Sequence, residues 1–199
     1  MSASSEPTEE VMIKVSSDGA EAFVESYYRA VNEGQSIATY YINSSTKYTS
    51  RPDADPADIV INGAQIATPA EYEALLEEQR GGPIAHNSNG ADRRRGNSKP
   101  RVRYEVDSFD AQVINTDFCI NVPPNLSDDA SKASGRRISM VVTVMGILHL
   151  DSDPEPTRKT FNEVFVLWPN WDWEKGTSRN RDKNAKNRFL ISSQNYRTL

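Results

Sequence analysis

The chain has 199 residues, 37% of them hydrophobic, and a formal net charge of −5. That length suits one domain with long loops. Its one cysteine, Cys119, excludes an internal disulfide framework and a cysteine metal cluster. The start of the chain has neither the basic nor the apolar region of a secretory signal, and no apolar run nears the roughly 20 residues of a membrane helix, so a soluble, intracellular protein is expected.

Residues 1–17 read as a flexible acidic tail, followed by a single domain over 18–199. Asp18-Gly19 precedes a helical pattern in which Ala22, Phe23, Ser26, Tyr27, Ala30 and Val31 share a face, and Gly34 stops it. A second short helix is expected over 35–42, with Ile37, Ala38 and Tyr41. Short strands are expected at 46–49 and 58–61. Asn62-Gly63 is a tight-turn signal, so 61–66 should form a hairpin. Thr68 is a good N-cap, Pro69 suits the first helical position and Glu71 stands three residues after Thr68, which predicts a helix over Pro69–Gln79.

A long loop without periodicity is expected over about 80–100. Val102, Tyr104 and Val106 then alternate with charged residues, as a half-buried strand does. The apolar parity shifts to Phe109, Ala111 and Val113, which implies a bulge near Ser108. Strand character continues through 118–120, and 123–136 reads as another polar loop. Three long strands close the chain, at 137–151, 158–169 and 188–199, with a loop at 170–187 between the last two. The first is apolar on both faces, since Val141, Met145 and Ile147 stand opposite in parity to Met140, Val142, Val144 and Leu148. A half-solvated strand should alternate apolar with polar. The second face therefore expects a cover, and another protein can supply it. Helices first and strands after indicate an α+β domain with helices packed on one face of a bent sheet.

This ordered set resembles the nuclear transport factor 2-like fold, a cone of three N-terminal helices on a strongly bent antiparallel sheet. The resemblance rests on Ala22-Phe23-Val24-Glu25-Ser26-Tyr27-Tyr28, the Ile61-Asn62-Gly63 turn, Thr68-Pro69-Ala70-Glu71-Tyr72, the strand pair around Val144–Leu148 and Thr160–Leu167, and the ending Phe189 to Arg197. Within that fold the chain is similar to the small subunits of fungal heterodimeric mRNA export receptors, the mRNA transport regulators. The resemblance implies a non-enzymatic protein without a cofactor. It implies a larger receptor subunit with a similar domain as partner, binding of Phe-Gly nucleoporins, and carriage of messenger ribonucleoprotein through nuclear pores. It also implies a link to export of large ribosomal subunits and shuttling between nucleus, pore and cytoplasm. It places the partner interface at Val141, Met145, Ile147, Asn195 and Arg197, and matches Arg197 to the arginine that meets an aspartate of the larger subunit.

Charge is segregated along the chain. Between Arg80 and Arg103 seven cations face only Asp92, and between Lys175 and Arg188 six face only Asp182. Such basic segments on an acidic body suit phosphate-backbone contact, which points to Arg93, Arg94, Arg95, Lys99, Arg179, Arg181, Lys183 and Lys186 as RNA-binding residues. The competing reading is a solvated loop. Trp168, Trp171 and Trp173 precede the second segment; they stack bases or cap a sheet end. His86 and His149 lack metal-ligand spacing, so no metal is expected. Two other functions belong to this fold. A small-molecule isomerase or dehydratase would need an acid or base inside the cone, yet Asp107 and His149 lie at outward parity. A homodimeric import factor for a small GTPase would present carboxylates, which the basic segments do not match.

Overall fold

The computed structural model describes residues 6–50, 54–81, 101–151, 156–173 and 187–199. Helix α1 runs over Glu9–Glu33, with Thr8 as its N-cap and Gly34 in the left-handed conformation at its end. The tail expected over 1–17 is therefore corrected from Glu9 onward, and residues 1–5 lie outside the described residues. Val11, Met12, Val15 and Ser16 extend the inward stripe of Ala20, Phe23, Val24, Tyr27 and Tyr28 by two turns, and packing outweighs the helix cost of Gly19. The glycine is a contact point: a Cβ there would lie 2.5 Å from Cε2 of Phe189.

Two 3₁₀ turns, Ala38–Tyr40 and Ile42–Ser44, replace the second helix expected at 35–42. Thr46–Thr49, expected as a strand, is the short helix α2. Ser45 caps it by accepting from the Lys47 amide, and the Tyr48 hydroxyl donates to the Pro169 carbonyl at 2.5 Å, so a tertiary bond overrides β propensity. The hairpin of β1 (Asp58–Ile61) and β2 (Ala64–Ile66) turns at Asn62 and Gly63, both at positive φ, as a type I′ turn requires. Helix α3 (Pro69–Gln79) has the expected cap, with the Glu71 amide donating to Thr68.

Strand β3 (Arg101–Asn115) contains the expected bulge, at Asp107, which drops out of the pairing between Val106 and Ser108. Beyond it, strand character does not persist. The Phe118 amide donates to the Arg137 carbonyl, and its ring packs on Trp168 and Trp171 instead of extending the sheet. The polar segment 123–136 is not all loop: it holds a 3₁₀ turn and helix α4 (Asp129–Ala133), capped by Asp128 accepting from the Ser131 amide. Strands β4 (Ser139–Asp151), β5 (Thr157–Pro169) and β6 (Phe189–Thr198) complete a six-stranded sheet ordered β2-β1-β6-β5-β4-β3. All pairs are antiparallel except β1 with β6, which is parallel.

The core lies between α1 and the inner sheet face. Met140, Val142, Val144 and Leu148 on β4 and Phe161, Phe165 and Leu167 on β5 point inward and are almost wholly buried. Phe165 meets Phe23 and Tyr27 edge to face, with ring centroids 5.1 and 5.2 Å apart. Such pairs contribute about 0.5–1.5 kcal/mol beyond area burial. No helix among the described residues is long and apolar enough to cross a membrane.

Candidate functional site

The outer face of the sheet follows from strand period and register. In one row Val141 stands opposite Val166, and Val166 opposite Ser193. In the next, Thr143, Val164 and Asn195 align, with Val60 of β1 beside Asn195. Then Met145 faces Asn162, and Asn162 faces Arg197; beyond them Ile147 pairs with Thr160. Val141, Met145 and Ile147 of β4 and Val164 and Val166 of β5 thus make an apolar stripe across two strands, and polar Ser193, Asn195 and Arg197 of β6 separate it from Val60 on β1. No helix covers it among the described residues. Met145 is 53% exposed, where its inward neighbours Val144 and Leu148 are at most 1%. All five residues expected at a partner interface lie on this one face. Arg197 is exposed and has no ion-pair partner among the described residues.

The β3 end of the same face carries charge. Glu105 accepts from Arg103, and its Oε2 lies 2.9 Å from Nε2 of His149. Arg103, then His149, holds the Glu105 carboxyl below its ordinary range. Asp107, at the bulge, is exposed. Asp107 and His149, the acid and base weighed for catalysis, therefore stand outside the cone, while Tyr27, Tyr40 and Tyr104, weighed with them, are buried.

The acid inside the cone is Glu163, which the strand reading missed. It shares inward parity with Phe161, Phe165 and Leu167, and that parity was its only signal. It is 1% exposed. The Tyr28 hydroxyl donates to its Oε2 and Nε2 of Gln194 to its Oε1, the latter at 2.5 Å. Gln194 also donates to Tyr27 at 3.0 Å and accepts from Tyr41. Burial pushes the Glu163 carboxyl up to about 7, against the two hydrogen bonds, which favour the charged form. The cone mouth, under α3, holds a cavity of about 290 Å³ lined chiefly by Ile61, Tyr72, Leu76, Tyr104, Leu148 and Tyr196. Glu163 does not line it. The network therefore braces α1 against β5 and β6, sealed from the mouth.

The basic residues proposed for RNA, Arg93, Arg94, Arg95, Lys99, Arg179, Arg181, Lys183 and Lys186, lie outside the described residues, as does His86. Of the tryptophans, Trp171 is buried and its Nε1 donates to the Ile120 carbonyl at 2.9 Å, so it caps the sheet end. Trp168 packs on Phe118 and Tyr48. Trp173 is half-buried, with the guanidinium groups of Arg136 and Arg188 over its ring.

No protein-family model matches this sequence, and no curated protein matches it. Solved structures do. A chain in the complex of the Chaetomium thermophilum Mex67 NTF2-like domain with Mtr2 is 36% identical, with TM-score 0.73, over 92% of this chain and 98% of that one. A chain in the complex of a Sac3N peptide with Mex67:Mtr2 is 35% identical, with TM-score 0.73, over 92% and 99%. A structure of Mtr2 is 34% identical, with TM-score 0.72, over the same shares. This chain belongs to the Mtr2 family. It is an NTF2-like small subunit of the heterodimeric mRNA export factor, as the ordered elements from Ala22 to Arg197 had implied.

Proposed function

We propose that this chain pairs, through the outer face of its sheet, with the NTF2-like domain of a Mex67-type larger subunit. The pair carries messenger ribonucleoprotein, and large ribosomal subunits, through the nuclear pore by way of Phe-Gly nucleoporins, shuttling between nucleus and cytoplasm. RNA is met by the basic segments around Arg93–Arg95 and Arg179–Lys186, without sequence readout. The chain itself performs no chemistry: Glu163 is sealed within the core, and Asp107 and His149 face outward. The observation that carries the pairing is the uncovered stripe of Val141, Val164, Val166, Met145 and Ile147 beside Arg197, on a fold whose relatives occur in Mex67 complexes. Burying such a face typically removes more than about 2,000 Å² from water in total.

The test is co-expression with the larger subunit's NTF2-like domain. Met145→Glu, which sets a charge in the middle of the stripe, should abolish co-purification while leaving the circular dichroism of the single chain unchanged. Co-purification of the Glu variant at parental yield would move the interface off this face.

A further inference from the structure

At the end of the sheet where β5 leaves and β6 begins, two arginines share one tryptophan. The Arg188 guanidinium carbon lies 5.3 Å from the Trp173 ring centroid and 5.5 Å from that of Phe189. Arg136 lies 5.7 Å from the same indole, and its Nη2 donates to the Trp173 carbonyl at 3.1 Å. Buried Asn170 fixes this arrangement. Its amide donates to the Arg188 carbonyl at 2.9 Å, its carbonyl accepts from the Trp173 amide at 3.0 Å, and its side chain donates to Asn187 at 2.7 Å.

Neighbouring cations are neutralised within the fold. Lys132 pairs with Glu6 and Asp117, and Arg137 with Asp117 at 2.5 Å. Arg136 and Arg188, half-buried against the same ring, have no carboxylate within ion-pair distance among the described residues. Asp18, whose field reaches Arg188, is held by Lys14 at 3.0 Å. Burial, then the charge of Arg136, makes the Arg188 proton less tightly held than usual. Each cation is attracted to the indole face, but the two guanidinium charges repel each other, and an anion meeting both would relieve that repulsion.

We propose that Arg136, Trp173 and Arg188 form a contact site for the phosphodiester backbone of RNA. The planar guanidinium fork matches phosphate oxygens bidentately. The crevice beneath the pair measures about 10 Å³, room for no more than a water, so the ligand lies on the surface and no apolar peptide side chain is anchored there. Lys175, Arg179, Arg181, Lys183 and Lys186 stand between Trp173 and Arg188 in the sequence, outside the described residues, and so basic a stretch of chain suits a polyanion more than a single phosphate. The site deepens the proposed RNA contact and rests on it.

The test uses the heterodimer and a fluorescein-labelled, unstructured oligo(U) RNA, with affinity read by anisotropy from about 50 to 200 mM salt. Arg136→Gln and Arg188→Gln should each weaken binding several-fold at the lower salt and reduce the salt slope by about 0.7, the value for one single-strand phosphate contact. Arg188→Lys should keep the slope and lose part of the affinity. In the parent heterodimer, the Trp173 indole N–H resonance should shift as oligo(U) is added, a readout independent of any variant's folding. A parent that binds RNA with an unmoved Trp173 resonance, and Gln variants that bind like it, would leave the arginines as braces of Trp173 and overturn the site while sparing the RNA-contact reading. A parent that binds no RNA overturns both. Loss of a poly-glutamate peptide by the Gln variants with RNA affinity unmoved would assign the site to acidic protein instead.

Discussion

At Glu163 two opposed effects are weighed in one side chain. Hydrogen bonds from Tyr28 and Gln194 favour the carboxylate, burial favours the acid, and burial wins, with the carboxyl pushed up to about 7. The folded chain therefore holds a proton that the unfolded chain releases near its ordinary 4.5. The stability this gives is fully present below about pH 4.5 and is lost as pH rises through about 7. Chemical denaturation of Glu163→Gln should lack that decline, which amounts to roughly 3 kcal/mol across the window. An identical pH slope in the Gln variant would mean that another group titrates. Arg197 is the residue to test at the partner surface. Its guanidinium cannot shed charge, so an interface that buries it must supply a carboxylate. Arg197→Ala should cost about 2–5 kcal/mol of heterodimer affinity by calorimetry, and Arg197→Asp should recover with a charge-reversed partner. Affinity equal to the parent's would place Arg197 in water in the heterodimer and take it out of the interface.

At the scale of elements, α1 shows how a local signal is outvoted. The helical pattern was expected to begin only after Asp18-Gly19, yet the helix passes through them because Val11, Met12 and Val15 continue the apolar stripe. Gly19 is kept for space. Alanine there would gain about 1 kcal/mol in helix propensity, but its Cβ would meet the buried Phe189 ring at 2.5 Å. Overpacking of that kind costs about 1–3 kcal/mol, so Gly19→Ala should lower the melting temperature. Phe189→Leu in the same chain should return part of the loss. A more stable Gly19→Ala variant would show that α1 does not press on β6. Strand β4 was legible because it is a long, β-branched run that is apolar on both faces. The segments 46–49 and 118–136 were not, because their conformation is set by distant bonds such as Tyr48 to Pro169 and Phe118 to Arg137.

For the whole molecule, an apolar stripe left in water implies a chain that is not at rest alone. Expressed by itself, it should self-associate through the β4–β5 face. Adding the larger subunit's domain should convert it to a 1:1 pair, measured by light scattering after gel filtration. A monodisperse monomer at high concentration would show that the stripe is tolerated in water. Two copies packed face to face would bring Arg197 towards Arg197 or leave both unpaired, which disfavours the homodimer against a partner bearing an acid.

Periodicity and turn chemistry were enough to specify the Asn62-Gly63 hairpin, the Thr68 cap and the helix it opens, the bulge near Ser108 and the two-faced β4, because each depends on residues close in sequence. They also brought Val141, Met145, Ile147, Asn195 and Arg197 to one parity class on each strand. Only the tertiary structure set those two strands in register through β5, with Val141 beside Val166 and Arg197 beside Asn162. It alone placed Glu163 under Tyr28 and Gln194, and brought Arg136 and Arg188, 52 positions apart in the chain, to one indole. Register, burial of a charge and cation pairing are properties of neighbours in space, and a one-dimensional pattern does not hold them.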